Sequence, residues 1–338
     1  MQETYIWQLY SLNNMATLKW GFIGCGDVTE VKSGPAYQLT DGFEVTAVMR
    51  RDIHKAKDYA ERHNIKTYYN DAQALIQDKN VDAIYIATPP DSHKTYALKV
   101  AQAGKICCIE KPIAPNYNDS LEILNAFQRK QIPLFVAYYR RSLPRFLKVK
   151  SWLDNNLIGK VRHINWVFSK PPNNLDLSGT YNWRTDPQIA KGGYFDDLAS
   201  HGLDLFAFLL GNFTNAKGIC TNQQHRYNAY DAITANWIHK NNITGSACWN
   251  FGANERIDDV LIMGSKGHIK CSVFIENPIV LQTDEIQESL IIENPKHIQQ
   301  YHVQGMRDEL LFHNFQHPST GETAIHTSWV MDKILGTI

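Results

Sequence analysis

The chain has 338 residues, 43% hydrophobic and 20% charged, which exceeds what one core of about 100–200 residues organises. That composition excludes the disordered and membrane-spanning classes. Lys plus Arg and Asp plus Glu balance at 34 each, so no electrostatic case exists for nucleic acid or an anionic membrane, and a small-molecule ligand is expected. The six cysteines are too sparse for a disulfide framework, which points to a reducing, cytoplasmic compartment. They include no C-x-x-C pair, which argues against a structural zinc site, and no metal is expected. The first residues, "MQETYIWQLYSLNNMATLKW", lack the basic and apolar regions of a secretory signal, and Met15 reads as an alternative start preceded by a poorly ordered extension.

From Lys19 onward, short apolar runs alternate with helical patterns. "KWGFI" reads as a strand, followed by a glycine turn and a helix that Gly34-Pro35 interrupts. "FEVTAVM" is a strand and "DIHKAKDYAERHN" a helix. "DAIYIAT" is a strand and "SHKTYALKVAQAG" a helix running from Ser92 to Gly104. "KICCIE" and "SLEILNAFQRKQ" repeat the unit once more. This rhythm predicts a doubly wound α/β domain with a parallel sheet over residues 17–137. After Tyr138 the rhythm changes. One helix leads to the strand "GKVRHINWVFS", a long Asn/Pro/Gly-rich loop, the helix "YFDDLASHGLDLFAFLL" and then strand-like runs such as "AITANWIHK" and "ITGSACWNF". This predicts an α+β domain over residues 138–319 with an antiparallel sheet. A final helix, within residues 320–338, is expected to return to the first domain.

In an open parallel sheet, ligands bind at the carboxyl ends of the strands near the reversal of strand order. Three segments occupy such ends: "GCGD", "TPPDSH" and "EKP". Gly24 serves a tight turn and Gly26 lets a pyrophosphate approach the start of the helix at Asp27 and Val28. Thr29 stands where a third glycine usually controls helix–strand packing. At the end of the second strand, Arg50 and Arg51 could clamp a 2′-phosphate, favouring NADP over NAD, while the alternative is a solvated arginine pair with Asp52 meeting the ribose. Thr88 and Pro89 follow the next strand, and Glu110 and Lys111 the one after that. Facing a nicotinamide ring, the Lys111 ammonium could hold a substrate oxygen, its pKa lowered by desolvation and by the ring's charge. On the long helix of the second domain, Asp197, His201 and Asp204 fall together at helical spacing. A buried carboxylate and imidazole there must be satisfied by each other, by neighbours or by a ligand. Gly192-Gly193 at the helix entry allows a ligand or another backbone to come close. His93 reads as a residue tying down a loop.

"GFIGCGD", "IATPPDSHKTYALKVAQAGKICCIEKP" and "GGYFDDLASHGLDLFAFLLG" together resemble the glucose-fructose oxidoreductase / inositol dehydrogenase family, written Gfo/Idh/MocA. The resemblance runs from about Lys19 to the last helix. It implies a Rossmann domain, a second domain whose large open sheet makes oligomer contacts in a dimer or tetramer, and hydride transfer between NAD(P) and a sugar, polyol or cyclitol. By the same resemblance His201 is the expected proton donor or acceptor, Asp197 orients it or the substrate, and Lys111 anchors the reacting oxygen, although members differ over whether the lysine or the histidine handles the proton. Trp183 and Arg184 resemble a pair near the cofactor, and Arg141 matches a linker arginine. Tyr194 stands where glycine is frequent and is expected to narrow the substrate pocket. Two other readings remain at this stage: an epimerase or eliminase working through transient oxidation, and a cofactor-sensing regulator.

Overall fold

The computed structural model describes residues 17–338, so Met15 lies outside the described residues. Six parallel strands form the first sheet: β1 (Leu18–Ile23), β2 (Phe43–Met49), β3 (Thr67–Tyr69), β4 (Ala83–Ile86), β5 (Ile106–Ile109) and β6 (Leu134–Val136). Their spatial order is β3-β2-β1-β4-β5-β6, which is the doubly wound pattern expected of the alternating β and α runs. All four residues of β4 are buried, as are Cys107, Cys108 and Ile109 of β5. Strands covered on both faces read as continuous apolar runs, which is why "AIYI" and "ICCI" show no alternation. Strand order reverses between β1 and β4, so a crevice opens between the turns that follow them.

The second sheet has eight strands: β7 (Val161–Ser169), β8 (Phe213–Thr221), β9 (Ala232–His239), β10 (Thr244–Asn250), β11 (Ile257–Gly264), β12 (Gly267–Cys271), β13 (Ile279–Thr283) and β14 (Gln287–Leu290). They lie in the order β14-β13-β12-β11-β7-β10-β9-β8, and every pair is antiparallel except β7 with β10. One face is covered. Trp166, Trp237 and Trp249 from the strands share a core with Phe195, Leu203 and Phe206 of the helix Tyr194–Leu210. That helix lies close to the sheet because position 202 is glycine: a Cβ there would stand 2.3 Å from the Trp166 ring. On the other face β9 alternates buried and exposed residues, with Ile238 partly exposed and Ile219 of β8 well exposed.

The last helix, Gly321–Leu335, packs on β8 and on the helix Tyr194–Leu210 of the second unit as well as on β6 and the helix Tyr117–Lys130 of the first. It therefore spans both. Among the described residues no helix is long and apolar enough to cross a membrane, and all six cysteines are free thiols.

Candidate active site

Three turns meet at the carboxyl edge of the first sheet. Gly24 follows β1 with φ of +92°, and a Cβ on it would press on Thr88 and on the Ala87 backbone at 2.8–3.0 Å, so only glycine fits. A Cβ on Gly26 would meet nothing within 4 Å, which leaves the backbone open to a ligand. The helix that follows is short, Asp27–Val31, and a second begins at Gly34. Thr29 explains the missing third glycine: its side chain is fully buried and its hydroxyl donates back to the Gly26 carbonyl at 2.8 Å. Tyr59 donates to the Thr29 carbonyl at 2.9 Å. The threonine closes the turn on itself instead of crowding the sheet.

A cavity of about 310 Å³ runs along Gly24, Gly26, Arg50, Arg51, Thr88 and Pro89. Arg50 is partly committed, since its Nη1 donates to the Cys25 carbonyl at 2.9 Å. Arg51 is exposed, and among the described residues it has no hydrogen-bond partner or carboxylate within 4 Å. Asp52 caps the helix Ile53–Arg62, accepting from the amides of His54 and Lys55. The glycine turn and this cavity fit a dinucleotide, and Arg51 is among the lining residues. Asp27 is exposed and lines neither this cavity nor the next, whereas Val28 lines the next.

The second cavity, about 500 Å³, lies between the two sheets and is lined by Val28, Glu110, Lys111, Arg140, Arg184, Asp197 and His201 among others. Lys111 follows β5 and reaches across to the other unit. Its Nζ donates to Asp197 Oδ1 at 2.5 Å and to the Asp197 carbonyl at 2.8 Å. Arg184 Nε meets the other carboxylate oxygen at 2.7 Å, and its guanidinium stacks on Trp183 with Cζ 4.3 Å from the ring centre. Burial alone would raise the Asp197 carboxyl, but the charges of Lys111 and Arg184 and their hydrogen bonds hold it well below the usual carboxylate range. Glu110, 8% exposed, accepts from Tyr85 Oη at 2.6 Å, Gln299 Nε2 at 2.7 Å and the Lys111 amide at 3.2 Å, which fixes the strand end that carries the lysine.

His201 is not satisfied by Asp197, its i−4 neighbour. Its Nδ1 lies 3.3 Å from Nη1 of Arg140. Arginine can only donate, so Nδ1 accepts and the neutral ring carries its hydrogen on Nε2. Burial first, then the charges of Lys111, Arg140 and Lys32, push the imidazole well below its ordinary value. It is a neutral hydrogen-bond donor at neutral pH.

Arg141, expected near a cofactor, is 5% exposed, and its guanidinium grips the Asp204 carboxylate in two hydrogen bonds of 2.7 Å and also donates to the Pro318 carbonyl at 2.9 Å. It lines neither cavity. A buried carboxylate on the long helix needs a counter-charge more than a solvated cofactor does. Tyr194 does not line the second cavity either. Its hydroxyl bonds Asp176, Asn173 and Asn182 and so anchors the long loop before the helix. At Gly193 the close approach is by backbone, since a Cβ would stand 2.6 Å from the Tyr230 carbonyl. His93 is fully buried, with Nε2 2.7 Å from the Thr88 carbonyl and Nδ1 3.0 Å from that of Pro112, and so ties the turn after β4 to the turn after β5. Arg140, Gln299 and Asn294 line the cavity without having been singled out by sequence. The one signal was the adjacent Arg140-Arg141 pair within an otherwise apolar segment.

A doubly wound domain with a glycine turn at its switch point, joined to an open-sheet domain that closes a lysine-lined cleft, defines the class of two-domain nicotinamide-dependent oxidoreductases. Residues 18–138 match the model of the oxidoreductase family with an NAD-binding Rossmann fold, and residues 146–270 match the GFO/IDH/MocA C-terminal domain. The chain is 38% identical over 322 residues to Oxidoreductase P35 of Formosa agariphila, covering 95% of this chain and 99% of that protein. It belongs to the Gfo/Idh/MocA family. It is also 25% identical over 251 residues to the trans-1,2-dihydrobenzene-1,2-diol dehydrogenase of Bos taurus, covering 74% and 72% of the two chains. In fold it is similar to levoglucosan dehydrogenase in complex with NADH and L-sorbose, with a TM-score of 0.85 at 19% identity over 96% and 97% of the chains. An oxidoreductase of Agrobacterium radiobacter in complex with NAD+, L-tartaric acid and magnesium gives 0.83 at 20% identity over 95% and 96%.

Proposed function

We propose that the chain is an NAD(P)-dependent dehydrogenase or reductase acting on a CH–OH carbon of a sugar, polyol or cyclitol. One observation carries this reading: Lys111 from the first unit and His201 from the second line the same cavity, beside the glycine turn. The levoglucosan and dihydrodiol dehydrogenases among its relatives support the substrate class. A bound nicotinamide supplies the hydride acceptor or donor. The protein's own groups handle the oxygen. Two of the Lys111 ammonium hydrogens go to Asp197, leaving the third for a substrate oxygen, and His201 Nε2–H is a second donor for that oxygen. Because Arg140 donates to Nδ1 and Nε2 already carries the hydrogen, the neutral His201 ring has no free lone pair to accept a proton from the substrate oxygen. Lys111 therefore exchanges the proton and His201 positions the oxygen, which is one of the two assignments the resemblance leaves open.

NADP is the proposed cofactor, with Arg51 the freer of the two arginines to meet a 2′-phosphate. Dimers or tetramers through the half-exposed face of the second sheet are also proposed, and light scattering would read them. The deciding experiment follows absorbance of reduced nicotinamide with a panel of sugars and polyols, after calorimetry with NADP and NAD. Turnover that survives Lys111→Met, or NADP and NAD binding equally in both wild type and Arg51→Ala, would remove the corresponding part of the reading.

A further inference from the structure

Arg140 sits on the short turn Tyr139–Ser142 that links the two sheets, and it is only 6% exposed. Its Nε donates to the Val273 carbonyl at 2.9 Å and its Nη1 to His201. The guanidinium lies between two aromatic faces, 4.9 Å from the centre of Tyr139 and 4.4 Å from that of Phe274. Among the described residues no carboxylate stands within 4 Å of it, although Arg141 next door has Asp204 and Arg184 across the cleft has Asp197. A buried guanidinium without a counter-ion is costly, and natural proteins rarely leave one so.

The surroundings increase the imbalance. Arg145 is 3% exposed, is also without a carboxylate within 4 Å, and lies near enough that the Arg140 charge disfavours its own. Asp258, the buried carboxylate behind Phe274, is already held by the amides of Val273, Phe274 and Ile275 and by the Trp166 indole. At the cavity mouth Lys32, Arg256 and Lys296 are exposed and unpaired among the described residues. The three carboxylates on the lining are committed: Asp197 to two cations, Glu110 to Tyr85 and Gln299, and Glu276 to Asn294. Gln299 and Asn294 also line this cavity, but the side-chain oxygen of each is buried away from it. The cleft thus offers one interior guanidinium to an anion.

We propose that the substrate of this cleft is an acidic sugar or polyol, with a carboxylate bound by the unpaired Arg140 beside His201. The proposal rests on the oxidoreductase reading above and narrows its substrate class. A planar carboxylate suits the guanidinium better than a point-charge partner would, because parallel N–H bonds fix its orientation. Arg140 and His201 are 3.3 Å apart, so a carboxylate on the guanidinium sets the neighbouring carbinol beside His201.

The test uses the full chain saturated with its dinucleotide, titrated calorimetrically with matched pairs: D-glucuronate and D-glucose, D-galacturonate and D-galactose, D-gluconate and sorbitol. The acid of at least one pair should bind about tenfold or more tightly than its neutral partner, the scale of a charge-assisted hydrogen bond. In Arg140→Gln, checked for folding by circular dichroism, that ratio should fall below about threefold. Lys296→Gln, an exposed change at the mouth, should lower acid affinity modestly and weaken its salt dependence. The wild-type ratio decides the matter even where Arg140→Gln does not fold. Equal binding of acids and neutral sugars, or no binding by any acid, overturns the proposal. Preference for glucose 6-sulfate over every carboxylate replaces the carboxylate by a sulfate ester and also overturns it as stated. Loss of dinucleotide affinity in Arg140→Gln with an unchanged ratio assigns the guanidinium to the cofactor instead. Turnover is read separately. Hydride transfer with neutral sugars and no acid preference keeps the oxidoreductase reading and removes this proposal, whereas Arg140-dependent acid binding without reduced nicotinamide from any sugar does the reverse.

Discussion

Lys111 and Asp197 are 86 positions apart in sequence and meet at 2.5 Å across the cleft, each from a different sheet domain. The side chains are 10% and 17% exposed, and Arg184 completes the cluster at 2.7 Å. The contact is therefore both a tie between the two units and the mount for the lysine. Removing one partner of such a pair leaves a poorly solvated charge, at a cost of about 3 kcal/mol. Asp197→Ala is expected to lower the unfolding free energy by about that amount and turnover by about a hundredfold or more, with dinucleotide affinity nearly intact. Denaturant titration and calorimetry check the first and last of these. The carboxyl's pKa is depressed in the folded state, so its stabilising contribution is complete above the unfolded value of about 3.9 and is lost as pH falls below it toward the lowered folded value.

His201 Nδ1 accepting from Arg140 makes a narrower prediction. If the ring serves only as an Nε2–H donor, an amide N–H placed nearby should replace part of it. His201→Ala is expected to lower turnover by about a hundredfold, and His201→Gln to recover about tenfold of that loss. Because burial and the surrounding cations keep the ring neutral, the wild-type rate profile should show no ionisation of His201 near pH 6.5. An acidic limb at that pH, abolished by His201→Gln, would assign the proton to the histidine after all.

A separate pH effect concerns stability. Burial pushes His239, His317 and His326 down to about 4. His239 is fixed as a neutral ring, with Trp237 Nε1 donating to its Nε2 at 3.0 Å and its Nδ1 lying 2.6 Å from the Gly211 carbonyl. The unfolded chain takes up a proton there near pH 6.5 and the folded chain does not, so stability is full above that pH and falls as pH drops toward 4. Each such histidine contributes a slope of about 1.4 kcal/mol per pH unit within the window. Asp196, pushed up to about 7 by burial, works in the opposite direction. The clean measurement is thus a difference. His239→Asn should flatten the wild-type dependence of unfolding free energy by about 1.4 kcal/mol per unit between pH 6 and pH 5.

The parts of the fold legible in the sequence were those whose burial imposes a pattern. β1, β2, β4 and β5 are apolar runs between helical repeats, and the lysine, aspartate and histidine of the cleft stood out through strand-end position and helical spacing. β3 and β6 have three residues each, and the helix Ala72–Gln77 has six, too few for any period to register. The contacts of the long helix were not legible. Spacing places Asp197, His201 and Asp204 on one side, but their partners come from residues 111, 140, 141 and 184, and only the folded chain shows that Asp197 turns to Lys111 while His201 turns to Arg140. Nor can sequence separate adjacent arginines. The short turn Tyr139–Ser142 sends Arg140 into the cleft and Arg141 behind the helix. Tyr194 was legible as a bulky residue at a glycine position, but not as the anchor of residues 173–182, because that loop carries no periodic signal.

The place found for Arg141 can be tested against the place expected for it. A cofactor-binding arginine, when replaced, weakens dinucleotide binding and leaves the fold intact. The buried pair with Asp204 predicts the opposite. Burial raises the Asp204 carboxyl and the two arginine bonds, with Thr327 donating at 3.0 Å, only partly offset this. Arg141→Met should therefore strand a carboxylate between the long helix and the last helix and lower the unfolding free energy by about 3–5 kcal/mol. Paired replacement removes the stranded charge along with its partner. Arg141→Met with Asp204→Leu should recover most of the loss, because an apolar pair of similar volume is often neutral relative to a buried ion pair. Denaturant titrations of the two variants and calorimetry on whichever remains folded give the answer. A single variant as stable as wild type but unable to bind NADP would return Arg141 to the cofactor.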